Sequence, residues 1–215
     1  MNRIRTSQSA DLELFRARCA EQSINLDDRT IEKLTIYRDL LVSWNDRVRL
    51  LSRSDRDRIM TRHIFESLVV LRHLGADQSR IADLGSGGGL PGIPIKLAKP
   101  LLSVSLIESA RMKTLFLKEV VRSMALSSIE VIHDRAESVA LTRSGTFDVV
   151  TARAVARLDR VWELAEPLLK PQGSLIALKG PGEAEEDLAG SKVEFTEHIV
   201  EADDRTFAVV VVRKL

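Results

Sequence analysis

Ile81-Ala-Asp-Leu-Gly-Ser-Gly-Gly-Gly-Leu-Pro-Gly-Ile-Pro94 carries an apolar strand straight into a loop crowded with glycine. Glycine takes positive φ without steric cost and lets the backbone approach a ligand closely, and amides at a helix start receive anionic groups. A tight strand-to-helix turn also uses glycine, so the spacing matters more than the count. Glycines 85, 87 and 89 form G-x-G-x-G, whereas the dinucleotide fingerprint G-x-G-x-x-G/A requires a small residue where Leu90 stands. A nicotinamide-dependent oxidoreductase is disfavoured on that ground.

Outward from this loop the texture is regular. Short apolar runs at 81–84, 104–107, 129–132, 147–151 and 174–178 alternate with helical patterns, as in βαβ units with a parallel sheet. Two more runs, 195–200 and 207–212, are joined by a polar turn at 201–205 with no helix between them. The expected fold class is α/β, a doubly wound, Rossmann-like sheet of seven strands closed by an antiparallel hairpin strand. Upstream, apolar residues recur at helical spacing in Leu12, Leu14, Phe15 and Cys19, in Ile31 to Trp44, and in Ile59, Ile64, Leu68 and Leu71. Asp27 or Asp28 is the expected N-cap of the second of these helices, and Ser54 or Asp55 of the third, which extends through 58–73. The expected organisation is an N-terminal helical extension, 1–79, packed on a core domain, 80–215, as one structural unit.

Composition narrows the function classes. With 215 residues, 44% of them hydrophobic and 29% charged, the chain is that of an ordinary globular protein. One cysteine, Cys19, permits no disulfide within the chain, and the four histidines have no metal-ligand spacing, so no metal is expected. The start lacks an apolar leader and the longest purely apolar run, 207–212, is too short to span a bilayer. A soluble, cytoplasmic protein with no membrane partner is expected. Net charge is only +1, yet residues 1–180 hold 28 Lys+Arg against 22 Asp+Glu and residues 181–215 hold 4 against 9. Such segregation permits a basic face for RNA without demanding one.

Two further positions stand where open α/β sheets bind ligands. Glu108 ends the second strand, where an acidic side chain accepts from both hydroxyls of an adenosine ribose; a solvated surface glutamate is the plain alternative. After the third strand, His133-Asp-Arg-Ala-Glu137 is placed to meet an adenine edge, or simply forms a helix start with favourable acids.

With these residues in view, the chain resembles the RsmG family, formerly called glucose-inhibited division protein B. The resemblance covers roughly residues 30–215. It rests on Trp44-Asn45, Arg62-His-Ile-Phe-Glu-Ser67, the 83–94 loop with its Gly-Leu-Pro-Gly-Ile-Pro extension, and Glu108-Ser-x-x-x-Lys113-x-x-Phe116-Leu117. Arg135-Ala-Glu137, Ala152-Arg-Ala154 and Ala177-Leu-Lys-Gly180 complete it. It implies a class I S-adenosylmethionine-dependent methyltransferase that modifies guanine N7 in 16S ribosomal RNA of the small subunit. It also implies that Gly85, Gly87, Leu90, Ala136, Glu137 and Arg153 line the S-adenosylmethionine pocket, with Asp83 and Glu108 holding its amino-acid and ribose parts. One departure is visible: Arg49 stands where family members usually carry Asn.

Arg153, just past the fourth strand, is placed to meet the cofactor, the RNA or both, or to form a structural salt bridge. Lys179, at the equivalent edge of the fifth strand, is expected to serve RNA or a substrate loop. Arg56, Arg58 and Arg62 belong to six arginines within sixteen residues, a candidate phosphate-contacting surface; interleaved Asp46, Asp55 and Asp57 offer surface pairs as the alternative. His63 reads as a packing or capping residue. Guanine N7 has an exposed lone pair and no proton, so no catalytic acid or base is assigned, and a monomer acting by positioning is expected. A non-catalytic RNA-binding module and a small-molecule methyltransferase are the remaining rivals.

Overall fold

Asp27 accepts the Thr30 amide at 2.8 Å and so starts the second helix where the sequence places a cap. The computed structural model describes residues 2–76, 79–153, 156–202 and 205–215. The helices are α1 (Asn2–Glu21), α2 (Asp28–Asn45), α3 (Phe65–Val69), α4 (Gly92–Ala98), α5 (Arg111–Ser123), α6 (Ala136–Arg143), α7 (Leu158–Ala165) and α8 (Glu183–Asp187). The strands are β1 (Arg80–Leu84), β2 (Ser103–Ile107), β3 (Ile129–Ile132), β4 (Phe147–Arg153), β5 (Leu169–Lys179), β6 (Val193–Ala202) and β7 (Arg205–Lys214).

The stretch before β1 departs from the single helix expected over 58–73. A 3-10 turn (Arg53–Arg58) follows Ser52, a π-helical turn (Ile59–Ile64) leads into α3, and a second 3-10 turn (Val70–His73) ends the run. Neither Ser54 nor Asp55 caps it. The reason is a partner outside the helix: Asp11 of α1 accepts the amides of Met60 at 3.2 Å and Thr61 at 3.1 Å, and Arg18 donates to the Thr61 carbonyl at 2.7 Å. Backbone groups satisfied from α1 are not obliged to bond along their own helix, so the local winding changes.

The sheet has seven strands in the order β3-β2-β1-β4-β5-β7-β6, parallel except for β7, which runs antiparallel to both neighbours. Side chains alternate across it, so each buried strand feeds two cores. Ile81, Val149, Ile176 and Val209 pack on one face with residues of α1, α2, α3 and α5. Ala82, Val150, Ala177 and Val210 pack on the other with α6, α7 and α8. Trp44 meets Phe116 edge-on at 5.6 Å between ring centroids, fastening α2 to α5. In register, Leu84 lies beside Ile107 of β2 and Ala152 of β4, so these strands end at one level. Chain order reverses between β1 and β4, and open α/β sheets bind ligands at the carboxyl edge of such a switch point. No helix among the described residues is long and apolar enough to cross a membrane.

Candidate active site

The loop after β1 is held from beneath and from both sides. Gly85, Gly87 and Gly89 have φ of 63°, 55° and 86°, a region that only glycine enters freely. Ser86 donates its amide to the Ile107 carbonyl at 3.1 Å, and the Tyr37 hydroxyl of α2 donates to the Gly88 carbonyl. Gly92 must also be glycine for space: a Cβ there would sit 2.5 Å from Leu106 Cδ2 and 2.8 Å from Asp83 Oδ2.

Asp83, fully buried at the end of β1, braces this loop. Its Oδ1 accepts the Thr151 hydroxyl at 2.9 Å and its Oδ2 the Gly92 amide at 3.2 Å. Burial pushes its carboxyl up to about 6, aided by the charge of Glu108 and opposed by the hydrogen bonds from Thr151, Gly92 and Ser86. Glu108, at the end of β2, spans two loops: Oε2 accepts the Gly87 amide at 2.9 Å and Oε1 the Ala110 amide at 2.8 Å. A carboxylate oxygen has two lone pairs, so each retains capacity for a further donor.

Above the loop lies a cavity of about 460 Å³, lined by Leu50, Leu51, Ser52, His63, Gly85, Ser86, Gly87, Gly88, Leu90, Glu108, Lys113 and Arg153. That volume falls within the roughly 300–1,000 Å³ typical of small-molecule sites. Its outer wall, residues 50–52, is shaped by Asn45, whose Oδ1 accepts the amides of Leu50 at 2.9 Å and Leu51 at 2.8 Å. A larger hollow of about 750 Å³, lined by residues 45–47 and 49–52, shares that wall.

Arg153 and His63 close the far side. The Arg153 guanidinium contacts His63 Nδ1, donates to the His63 carbonyl at 3.2 Å and pairs with Glu66 Oε2 at 3.2 Å. His63 Nε2 lies 3.1 Å from Asp55 Oδ2, and Arg62 pairs with the other oxygen of Asp55. Arg205, at the start of β7, stands 3.1 Å from Glu66 Oε1. Burial raises the Glu66 carboxyl, and the charges of Arg153, Arg205 and Arg62 counter it.

The structure therefore gathers Gly85, Gly87, Leu90, Glu108 and Arg153 around one cavity. Asp83 is not among the lining residues and acts on the loop instead of reaching the cavity. Ala136 and Glu137 begin α6 beyond β3 and are also outside this lining, although His133 Nε2 at 3.1 Å from the Ser109 carbonyl ties their loop to the one after Glu108.

Lys179 differs from expectation. Its ammonium meets Glu183 at 2.9 Å, Asp187 at 3.3 Å and the Ala156 carbonyl at 3.0 Å, three acceptors for three donors, and so anchors α8 to β5. Arg62 is likewise tied to Asp55, whereas Arg56 and Arg58 lie exposed on the 3-10 turn. Residues assigned no part in the site from sequence are Tyr37, Glu66, Thr151 and Arg205, while Asp55, read as a cap or a surface pair, instead holds His63 and Arg62. Tyr37 is the only tyrosine in the chain, its one visible signal. Among the described residues, no group of three or more His, Cys, Asp or Glu is arranged to hold a metal.

The sequence profile of the family described as rRNA small subunit methyltransferase G matches residues 30–209. The chain belongs to that family. It is 35% identical over 185 residues to the ribosomal RNA small subunit methyltransferase G of Bacillus subtilis strain 168, covering 85% of this chain and 77% of that protein. It is 40% identical over 176 residues to the protein of the same name from Desulfitobacterium hafniense strain Y51, covering 81% and 72% respectively. Solved structures resemble this chain in fold alone. The Bacillus subtilis M1A22 tRNA methyltransferase TrmK superposes with a TM-score of 0.56 at 16% identity, over 72% of this chain and 66% of its own. A SAM-dependent methyltransferase from Aquifex aeolicus gives 0.53 at 17% identity, over 68% and 88%. The architecture is that of class I S-adenosylmethionine-dependent methyltransferases.

Proposed function

We propose that this chain binds S-adenosylmethionine in the cavity above the glycine loop and transfers its methyl group to N7 of a specific guanine in 16S ribosomal RNA. It acts in the cytoplasm as a monomer on the small ribosomal subunit or its RNA. The observation that carries the reading is the cavity itself: bare glycine backbone at 85 and 87 faces a carboxylate with unused lone pairs at a sheet switch point.

The residues fit such a cofactor. Gly85 and Gly87 expose backbone to its amino-acid part, with Asp83 supporting them from below. Glu108 has acceptor capacity for both ribose hydroxyls. Leu90 would supply an apolar wall, and Ala136 and Glu137, at the start of α6, would hold the adenine end. When bound, the group supplies an electrophilic methyl on a sulfonium.

N7 of guanine needs no deprotonation, and the titratable groups of the cavity suit a mechanism without proton transfer. His63 has both ring nitrogens engaged, and Glu108 bridges two backbone loops. The chain contributes by aligning nucleophile, methyl and sulfur and excluding water, an orientation effect of about 7–11 kcal/mol in favourable cases. The core of the enzyme is residues 80–215, with the extension 1–79 supplying Tyr37, the 50–52 wall and the RNA-facing arginines Arg56 and Arg58. Arg62 serves that face from its pairing with Asp55, and Lys179, at the end of β5, serves RNA or a substrate loop there.

The test is methyl transfer from labelled S-adenosylmethionine to small subunits prepared from cells lacking the protein, with the modified nucleotide mapped. One new 7-methylguanosine in 16S RNA is expected, and it should vanish with Gly85→Arg. Cofactor binding without that product would discard the substrate and keep the methyltransferase.

A further inference from the structure

Two carboxylates and three arginines cluster with one imidazole at the cavity wall, and their donors and acceptors fix where its proton sits. Arg153 offers only N–H groups, so His63 Nδ1, which meets Arg153 Nη2, is the unprotonated nitrogen. Nε2 lies 3.1 Å from Asp55 Oδ2, an acceptor, so Nε2 carries the hydrogen and donates. The same residue holds the guanidinium a second time, since the His63 carbonyl accepts Arg153 Nη1 at 3.2 Å. Glu66 Oε2, 3.2 Å from Nη2, completes the cradle, and the Arg153 side chain is left 13% exposed.

We infer that His63 is a positioning residue of the methyl-transfer site: a neutral imidazole, protonated on Nε2, that fixes Arg153 against the cavity and exchanges no proton with substrate. What the cavity holds rests on the function proposed above. The surroundings agree. Burial first, then the charges of Arg153, Arg62 and Arg205, push the imidazole down to about 2, while Asp55 and Glu66 are the carboxylates that face the cluster. A protonated ring would set its Nδ1–H against the Arg153 N–H and release the guanidinium from the wall. The arrangement also explains how a histidine lines a reaction cavity without acting as its base: both nitrogens already have partners.

The experiment has two parts. The full chain labelled with 15N at histidine should show, for His63, one protonated and one unprotonated ring nitrogen throughout the range in which free histidine titrates. Its signals are those lost in His63→Asn or, if that variant does not fold, the Nδ1 signal displaced in Arg153→Gln. The second part compares variants by S-adenosylhomocysteine affinity and by unfolding midpoint. Asparagine places an amide oxygen near the Nδ1 position and keeps an acceptor for Arg153. Glutamine places its amide nitrogen near Nε2 and keeps only the donor to Asp55. His63→Asn is expected to bind within about threefold of wild type. His63→Gln should bind about tenfold more weakly, the effect of one unsatisfied buried donor. That split should appear at similar folding stability.

A ring that titrates, a proton on Nδ1, or equal affinities for the two variants overturns the inference. If the wild-type chain binds no S-adenosylhomocysteine, the proposed function fails, and the ring-nitrogen spectrum alone decides whether the clamp exists.

Discussion

Replacing Asp83 by asparagine should produce a stability defect that shrinks as pH rises. In the native chain the carboxyl is pushed up to about 6 from an ordinary 3.8, mainly by burial. Between those values the folded chain keeps a proton that the unfolded chain has lost, so stability falls as pH climbs through this window. The shift of about two units corresponds to about 3 kcal/mol, present below the unfolded value and lost above the folded one. Asparagine has no such titration. It does, however, have one acceptor oxygen for two donors: with that oxygen on the Gly92 amide, its NH2 group faces the Thr151 hydroxyl, which must then turn from its 2.9 Å bond to the Ala82 carbonyl at 3.4 Å. That mismatch costs about 1–3 kcal/mol at every pH. Relative to wild type, Asp83→Asn should be less stable by that amount near pH 4, and equal or slightly more stable near pH 7, where the buried charge no longer burdens the native chain. Urea denaturation of both proteins across this range measures the difference directly, and any titration of Glu66 cancels in it. A deficit that is constant with pH, or that grows as pH rises, would refute the account, because the carboxylate would then be stabilising as an ion.

Two further perturbations follow from the same geometry. Gly92→Ala forces a methyl to 2.5 Å from Leu106 and 2.8 Å from Asp83 and should cost about 3 kcal/mol or more, the upper end of overpacking, whereas Gly87→Ala meets only the Gly85 carbonyl at 3.7 Å and should lose about 1–2 kcal/mol from its positive φ; comparable unfolding midpoints for the two variants would contradict the packing argument. On the RNA side, changing Arg56 and Arg58 to glutamine should weaken binding to small-subunit RNA and reduce the slope of log affinity against log salt by about 1–2, read by filter binding at several salt concentrations. An unchanged slope would remove both residues from the phosphate interface.

The strands were legible because the central ones, β1, β2, β4 and β5, are buried on both faces and read as short apolar runs. The edge strands β3 and β6, more exposed, were placed by the alternation of such runs with helices and by the polar turn before β7. The glycine loop was legible for a similarly local reason: its φ values demand the residue type. What escaped were features settled by partners far along the chain. Residues 58–73 carry a helical pattern, yet Asp11 and Arg18 capture the backbone of Met60 and Thr61 and rewind its start. Tyr37 reaches Gly88 across 51 positions, and Arg153 reaches His63 across 90. No window of sequence contains both members of either pair. Lys179 has partners that its place at a strand end did not show: Glu183 and Asp187, four and eight residues later, pair with its ammonium.

The place of β7 in the sheet has a consequence for the order of events during synthesis. It is the last strand to leave the ribosome, yet it lies between β5 and β6, and its first residue, Arg205, braces Glu66. Until it emerges, β5 has an open edge and β6, which pairs with β7 alone, has no neighbour. The nascent chain must therefore hold a five-strand parallel part, β3-β2-β1-β4-β5, with the β5 flank bare while the remainder is made, a state prone to mispairing. Completion of the sheet and bracing of the cavity wall then arrive together, so a partly made chain has little means of presenting a finished reaction chamber.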